Sequence, residues 1–454
     1  MFQPRERGRI CNNARFLLLR PRRPTIWNGI LKTLNDWLSY LESLHPKGQG
    51  GIELGLERVA CVKAALKQTQ HCPVIVVGGT NGKGSTCTYL EAIYRRAGYR
   101  TACYTSPHLL VYNERVRLDG VPADDALLCQ AFERVERARL AAGGVALTYF
   151  EFGTLAAWEV FAAQRVDVAI LEVGLGGRLD AVNIYDADCA VVTGVALDHT
   201  DWLGSTRSAI GFEKAGIYRA GRPALCADPE PPASLLDHAT AIGADLRLLG
   251  RDFSAVAEAS TWTWRTPEMQ LENLPLPALR GACQLRNAAA VLAAIACLQA
   301  RLPVQREAMG AGLSSARLAG RYQLVGERPT VILDVAHNPE AAAGLAQNLD
   351  ATPVAGRTLA VVGMLADKDI AGALSALSGK VDLWLLAGLA VPRGAGAEAL
   401  ARVVAGLGGR VELFDAPEAA FARAVGLAGE NDRIAAFGSF YTVAAVLRAL
   451  GKQA

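Results

Sequence analysis

VIVVGGTNGKGS, residues 74–85, joins a short apolar run to a loop, 79–85, with three glycines and a lysine. The run at 74–77 suits a buried strand. Past Ser85, the residues Cys87, Leu90, Ile93 and Tyr94 keep an apolar face at helical spacing. A strand, a glycine-rich loop and a helix in this order make a phosphate cradle. The glycines let the backbone approach phosphate oxygens, N–H groups at the helix start bind them, and Lys83 adds a positive charge. Gly84 separates Lys83 from Ser85, a departure from the commonest form of this loop, and the plain alternative is a glycine-rich turn with an exposed lysine.

Outward from this loop, short apolar runs alternate with amphipathic segments up to about residue 225, at 74–77, 102–104, 168–171 and 190–195. Runs of this length between helical stretches are how parallel strands read. A helix is expected to start near Thr33, with Asn35 as its cap and Trp37, Leu38, Leu41 and Leu44 on one face. From about 244 to 275 the texture changes to alternation, as in Thr261, Trp262, Thr263 and Trp264, which predicts a small antiparallel excursion. An alanine-rich helix follows Asn287. The strand–helix rhythm restarts at 331–333, 359–362, 383–386, 411–414 and 434–437, enough strands for a second doubly wound unit. The expected fold is α/β: an N-terminal phosphate-loop domain with a mostly parallel sheet and a small antiparallel one, then a C-terminal Rossmann-like domain. The expected boundaries are 1–27 for a disordered basic extension, 28–316 for the first domain and 317–454 for the second.

The 454-residue length favours two domains over one core, and a formal net charge of +3 argues against a dedicated nucleic-acid or membrane-surface protein. Ten cysteines are scattered through apolar stretches with no CxxC pair, which reads as reduced thiols in a cytoplasmic protein. No stretch approaches the roughly 20 apolar residues that would span a bilayer. Arg5, Arg7, Arg9, Arg15, Arg20, Arg22 and Arg23 crowd the first residues; a transit peptide has this composition, and a disordered extension is the plainer reading.

A triphosphate loop works with magnesium, which takes hard oxygen ligands or an occasional imidazole. Three strand ends offer them: Ser106, Glu172 and His199. In an open parallel sheet the carboxyl ends face one crevice, so these three are expected to converge. An ionised Glu172 directly after a buried strand is costly unless paired. His199 taken alone divides evenly between metal ligand and satisfied core histidine, and Ser106 alone says little.

Several longer motifs surround these residues: TSPHL (105–109), NERV (113–116), TYFEFGT (148–154), ILEVGLGGRLDAVN (170–183), ALDHTDWLG (196–204), EKAGI (213–217), AGRYQ (319–323) and DVAHNP (334–339). Together with GTNGKGS they resemble the folylpolyglutamate synthase family, and more closely its bacterial bifunctional members, which are also dihydrofolate synthases. The resemblance runs from about Thr33 to Gly438, Ser439 and Phe440. It implies a two-domain fold related to the muramyl ligases, with ATP in the cleft between domains. It also implies an ADP-forming carboxylate–amine ligase acting through an acyl phosphate. The implied small-molecule partners are ATP, L-glutamate, dihydropteroate and reduced folates, bound by a monomeric cytoplasmic enzyme with no nucleic acid and no membrane.

Residue by residue, the resemblance puts Thr80, Asn81, Gly82 and Lys83 on the phosphates of ATP. Asn287, Arg321 and Asp334 hold the nucleotide, and Ser106, Glu172 and His199 hold magnesium. Lys214 matches a lysine that the family carries as an N6-carboxylated side chain beside a second magnesium; from spacing alone it reads as a paired helix-surface lysine. Lys83, Lys214 and His199 are the implied catalytic set. The dihydropteroate segments correspond to Ile52, Glu53, Leu54 and Gly55, to Thr148, Tyr149, Phe150 and Glu151, and to Leu179, Asp180 and Ala181. Phe150 is expected to stack on the pterin and Asp180 to accept its ring N–H groups, against the plain roles of core aromatic and helix cap. Glu53 stands where relatives tend to have aspartate, and Cys283 where many have histidine. Two rival readings share the phosphate loop: a ligase of cell-wall precursors, which would lack TYFEFGT and ALDHTDWLG, and a nucleotide-driven switch, which would not need a second α/β domain.

Overall fold

The computed structural model describes residues 33–46 and 51–452. The basic extension expected over 1–27 lies outside the described residues.

Eight strands form the first sheet: β1 (Val74–Gly78), β2 (Thr101–Tyr104), β3 (Val116–Leu118), β4 (Val121–Pro122), β5 (Val168–Glu172), β6 (Cys189–Val192), β7 (Pro223–Cys226) and β8 (Asp245–Leu248). Their order is β4-β3-β2-β5-β1-β6-β7-β8. The six strands from β2 to β8 across the middle pair in parallel, and the β3–β4 hairpin closes one edge antiparallel. All five residues of β1 and of β5 are buried, because helices cover both faces of the sheet. One apolar cluster packs the helices Leu34–Leu44, Asp125–Ala141 and Tyr149–Gln164 on one face. The other packs Lys83–Arg96 and the long helix Ala282–Leu298 on the opposite face.

A three-stranded antiparallel sheet follows, made of β9 (Ser254–Ala257), β10 (Thr261–Arg265) and β11 (Gln270–Pro275), with Trp262 and Trp264 buried against the second face. The last sheet has six strands, β12 (Gln323–Glu327), β13 (Thr330–Leu333), β14 (Thr358–Val362), β15 (Leu383–Ala387), β16 (Val411–Phe414) and β17 (Arg433–Phe437), in the order β12-β13-β17-β14-β15-β16. It is parallel except for β12. Leu109 and Leu110, from the loop after β2, pack into its core, so the two halves of the chain share an apolar seam.

Three local expectations need correction. The first helix is capped by Thr33, whose hydroxyl accepts from Asp36 N at 3.2 Å while the Asp36 carboxylate accepts from Thr33 N at 3.0 Å; the acid three residues past Thr33 makes it the cap in place of Asn35. The alanine-rich helix begins at Ala282, upstream of Asn287. Residues 245–248, expected in the antiparallel excursion, are the parallel edge strand of the first sheet.

Candidate active site

The phosphate loop leaves the carboxyl end of β1 and enters the helix Lys83–Arg96 through Gly82. Gly82 has φ +92°, a conformation open to glycine, and a Cβ there would come within 2.7 Å of the Asn287 side chain. Asn287 is buried on the helix Ala282–Leu298 and donates to Gln284, which in turn donates to the Ser85 hydroxyl. Lys83 Nζ donates to the carbonyl oxygens of Gly79 and Thr80 at 3.0 and 3.1 Å. Burial lowers its pKa, with Glu172 and Asp198 pulling the other way.

Glu172 closes β5, and one of its oxygens accepts from Ser106 N at 3.1 Å. Burial raises its pKa, and Lys83, the Ser106 N–H and Arg321 oppose that rise. His199 follows β6 in a left-handed conformation, φ +52°. Burial first, then the charges of Lys368 and Lys83, lower its imidazole to about 4.

Arg321, just before β12, and Asp334 bring the second half of the chain to the cavity, and a Cβ on Gly84 would lie 3.9 Å from the Arg321 guanidinium. Asp334 follows β13 and accepts from Tyr322 N and Ala336 N, both at 2.8 Å. Burial pushes its pKa up, with Arg321 acting against the rise. The Arg321 guanidinium stacks over Phe440 at 5.3 Å.

Lys214 is 3% exposed, inside the crevice rather than on a helix surface. Among the described residues no hydrogen bond or ion pair reaches its ammonium. Burial, followed by the nearby charge of Lys83, pulls its pKa down to about 7, so near neutrality a large fraction is free amine. A free amine is the form that reacts with CO₂.

All of the predicted site residues line a single cavity of about 1500 Å³ that also takes in the walls predicted for dihydropteroate. On those walls Phe150 lies 5.8 Å from the Tyr104 ring, and a Cβ on Gly174 would come within 2.7 Å of the Phe150 ring. Thr148 and Glu151 form the capping box of the helix Tyr149–Gln164, and Glu151 also pairs with Arg58 at 3.0 Å. Glu53 meets the same arginine at 2.5 Å. Asp180 caps the turn Ala181–Ile184, its two oxygens accepting from Leu175 N and Val182 N.

Of the residues that tie the two halves together, sequence reading singled out Asn81 and missed its companions. Asp198 accepts from Lys368 Nζ at 2.6 Å and from Asn338 Nδ2 at 3.1 Å. Burial alone would raise the pKa of Asp198, but His337, His199 and Lys368 hold it well below the usual carboxylate range. Asn81 and Asn338 exchange amide hydrogen bonds at 3.2 and 3.1 Å, and Asn81 donates to Glu340 at 2.6 Å. Asp198 was available beside His199, and Lys368 lies just past β14, where crevice residues of such sheets arise.

Among the described residues no three His, Cys, Asp or Glu side chains form a ready cage for a metal. Magnesium asks for less, since it binds through one or two protein oxygens and takes the rest from phosphates and water. A buried carboxylate at Glu172, whose second oxygen is free of the Ser106 N–H, together with a hydroxyl and an imidazole on the same cavity wall, fits that demand.

A cleft that sets a phosphate loop on one α/β domain against cationic and acidic side chains of another serves to join two substrates with ATP. The fold and site are those of an ATP-dependent ligase. Residues 320–440 match the family described as Mur ligase, glutamate ligase domain. The Escherichia coli dihydrofolate synthase/folylpolyglutamate synthase is 47% identical over 418 residues, 92% of this chain and 95% of that one. Its Haemophilus influenzae namesake is 39% identical over 90% of this chain and 96% of its own. Among solved structures, E. coli FolC in complex with DHPP and ADP superposes with a TM-score of 0.87 at 47% identity, covering 93% of this chain and 98% of that one. The Yersinia pestis bifunctional enzyme complexed with AMPPNP and Mn ion gives 0.86 at 45% identity, with coverage of 93% and 98%. The chain belongs to the dihydrofolate synthase/folylpolyglutamate synthase family. No described helix is long and apolar enough to cross a membrane.

Proposed function

We propose that the chain joins L-glutamate to dihydropteroate and, in a second reaction, to tetrahydrofolate, forming ADP and phosphate through an acyl phosphate. The observation that carries this reading is the cavity itself: the phosphate loop, Glu172 and the walls around Phe150 and Asp180 share one space, closed from the other side by Arg321, Asp334 and Lys368.

In the first step an acceptor carboxylate oxygen attacks the γ-phosphorus as the bond to the ADP oxygen breaks. In the second the amine of L-glutamate attacks the acyl carbon, phosphate leaves, and the amine loses a proton. Thr80, Asn81, Gly82 and Lys83 hold the phosphates, and Asn287, Arg321 and Asp334 hold the rest of the nucleotide. Ser106, Glu172 and His199 hold one magnesium ion, and Lys214, as a carbamate, helps hold a second. When bound, the metal withdraws charge from the phosphoryl oxygens. The first domain, 28–316, carries ATP and the pterin acceptor, while 317–454 contributes to the nucleotide and glutamate sites. The cysteines among the described residues are all free, in keeping with a reducing cytoplasm, where the enzyme works as a monomer.

The test is incubation with ATP, L-glutamate and either dihydropteroate or tetrahydrofolate, with mass analysis of the product. Addition of one glutamyl unit to each acceptor is the expected result. Phosphate release that needs no acceptor, or that occurs with a muramyl precursor instead, would overturn the reading.

A further inference from the structure

Two arginines on the cavity wall have no part in the chemistry above. Arg115 ends the short turn Tyr112–Arg115 in the first half of the chain, and Arg448 lies on the helix Phe440–Ala449 of the second. Arg115 Nε donates to His108 Nδ1 at 2.8 Å, and Leu109 next to that histidine packs into the apolar cluster that holds Val446 and Leu447, directly before Arg448. Arg115 is held against the faces of Tyr112 and Tyr149, each 5.6 Å away. Among the described residues neither guanidinium has a carboxylate partner, whereas Arg58, Arg117, Arg139 and Arg178 each do. Cations without counter-charge, on the wall of a cavity, are a place for an anion.

The position of the pair says which anion. His108 is two residues past Ser106, whose N–H holds Glu172, so this wall adjoins the end of the cavity where the acceptor carboxylate must react. An acceptor that already carries glutamate brings there both the γ-carboxylate to be activated and, separated from it by three carbons, an α-carboxylate. Dihydropteroate lacks that second group.

We propose that Arg115 and Arg448, brought to one wall of the cavity from the two domains, form a carboxylate subsite for the α-carboxylate of the last glutamate already on the acceptor. The subsite thereby serves the elongating reaction in particular. This rests on the functional reading above.

Arg448 is exposed, so Arg448→Ala is a mild change to the fold. Steady-state kinetics are measured with dihydropteroate and with tetrahydrofolate bearing one or three glutamates. Loss of a charged hydrogen bond predicts that KM for the glutamylated acceptors rises about tenfold relative to KM for dihydropteroate in the same variant. Arg448→Lys restores most of the ratio. Arg115→Gln, checked by circular dichroism because its ring contacts are lost, shifts the ratio the same way. An unaltered ratio overturns the subsite. So does an equal rise in KM for L-glutamate with dihydropteroate as acceptor, which would mean that the arginines hold the incoming amino acid. Wild-type enzyme that glutamylates no acceptor would instead defeat the functional reading, so the two failures are distinct.

Discussion

At the scale of single residues, Lys83 is fixed to its own loop by two carbonyl oxygens, so its removal leaves the sheet and helices untouched. Lys83→Ala should therefore fold with an unchanged circular dichroism spectrum and lose about 10²–10³ in turnover, the usual effect of one missing transition-state donor. Undiminished phosphate release would contradict the assignment. Lys214→Ala should also be inactive, and short carboxylic acids should restore part of the rate if a carbamate is what is missing. Asp180 yields a prediction about pH. Its carboxyl is pushed up from 3.8 to about 7, burial being the main cause, against the hydrogen bonds from backbone N–H groups. Between these values the unfolded chain has released a proton that the folded one keeps, so the folded state binds more protons and stability falls as pH rises. Asp180→Asn removes this dependence. The stability of wild type relative to the variant should be greatest near pH 4, decline to about pH 7 and then stay level, as followed by thermal unfolding. Parallel curves for the two proteins would count against a raised carboxyl.

At the scale of elements, Glu151 does two jobs at one helix start. It completes the capping box with Thr148 and anchors Arg58, which also holds Glu53, so the segment around residues 52–58 hangs on this helix N-terminus. Glu151→Ala should cost about 2 kcal/mol in urea unfolding, from a lost cap and a buried charge partner. The elements easiest to read in the sequence were those with one dominant cause. β1, β5, β14 and β17 are buried throughout, and uninterrupted apolar runs announce them. β8, with the sequence DLRL, is an edge strand that shows no fully buried residue, so it mimics the alternation of an antiparallel strand. β12 was missed for the same reason, since its burial is partial and it joins its sheet antiparallel. The candidate site was legible where its residues sit inside local motifs at strand ends. The Asp198–Lys368 pair was not, because it joins positions 170 residues apart and no local pattern encodes that meeting.

At the scale of the whole molecule, the same pair decides how firmly the cleft is closed. Lys368 and Asp198 have side chains 7% and 9% exposed, and they sit on different domains. Removing one partner of a buried ion pair typically costs about 3–5 kcal/mol, because the other charge is left without compensation. Here each domain keeps its own apolar cores, so the loss falls on the docking of the domains rather than on the folding of either. Lys368→Met should therefore open the cleft, and the radius of gyration from small-angle scattering should increase. The catalytic consequence follows from water. An acyl phosphate survives only while the closed cleft excludes solvent, so wild type should hydrolyse little ATP without an acceptor and release one phosphate for each amide formed. In the variant, hydrolysis competes with glutamate, and phosphate released per amide should exceed one, most visibly at low L-glutamate. The reciprocal Asn81–Asn338 contact holds the phosphate loop against the same domain, so Asn338→Ala should uncouple the reaction in the same direction. One-to-one stoichiometry in both variants, with unchanged scattering, would show that closure rests on the apolar seam at Leu109 and Leu110 rather than on these polar contacts.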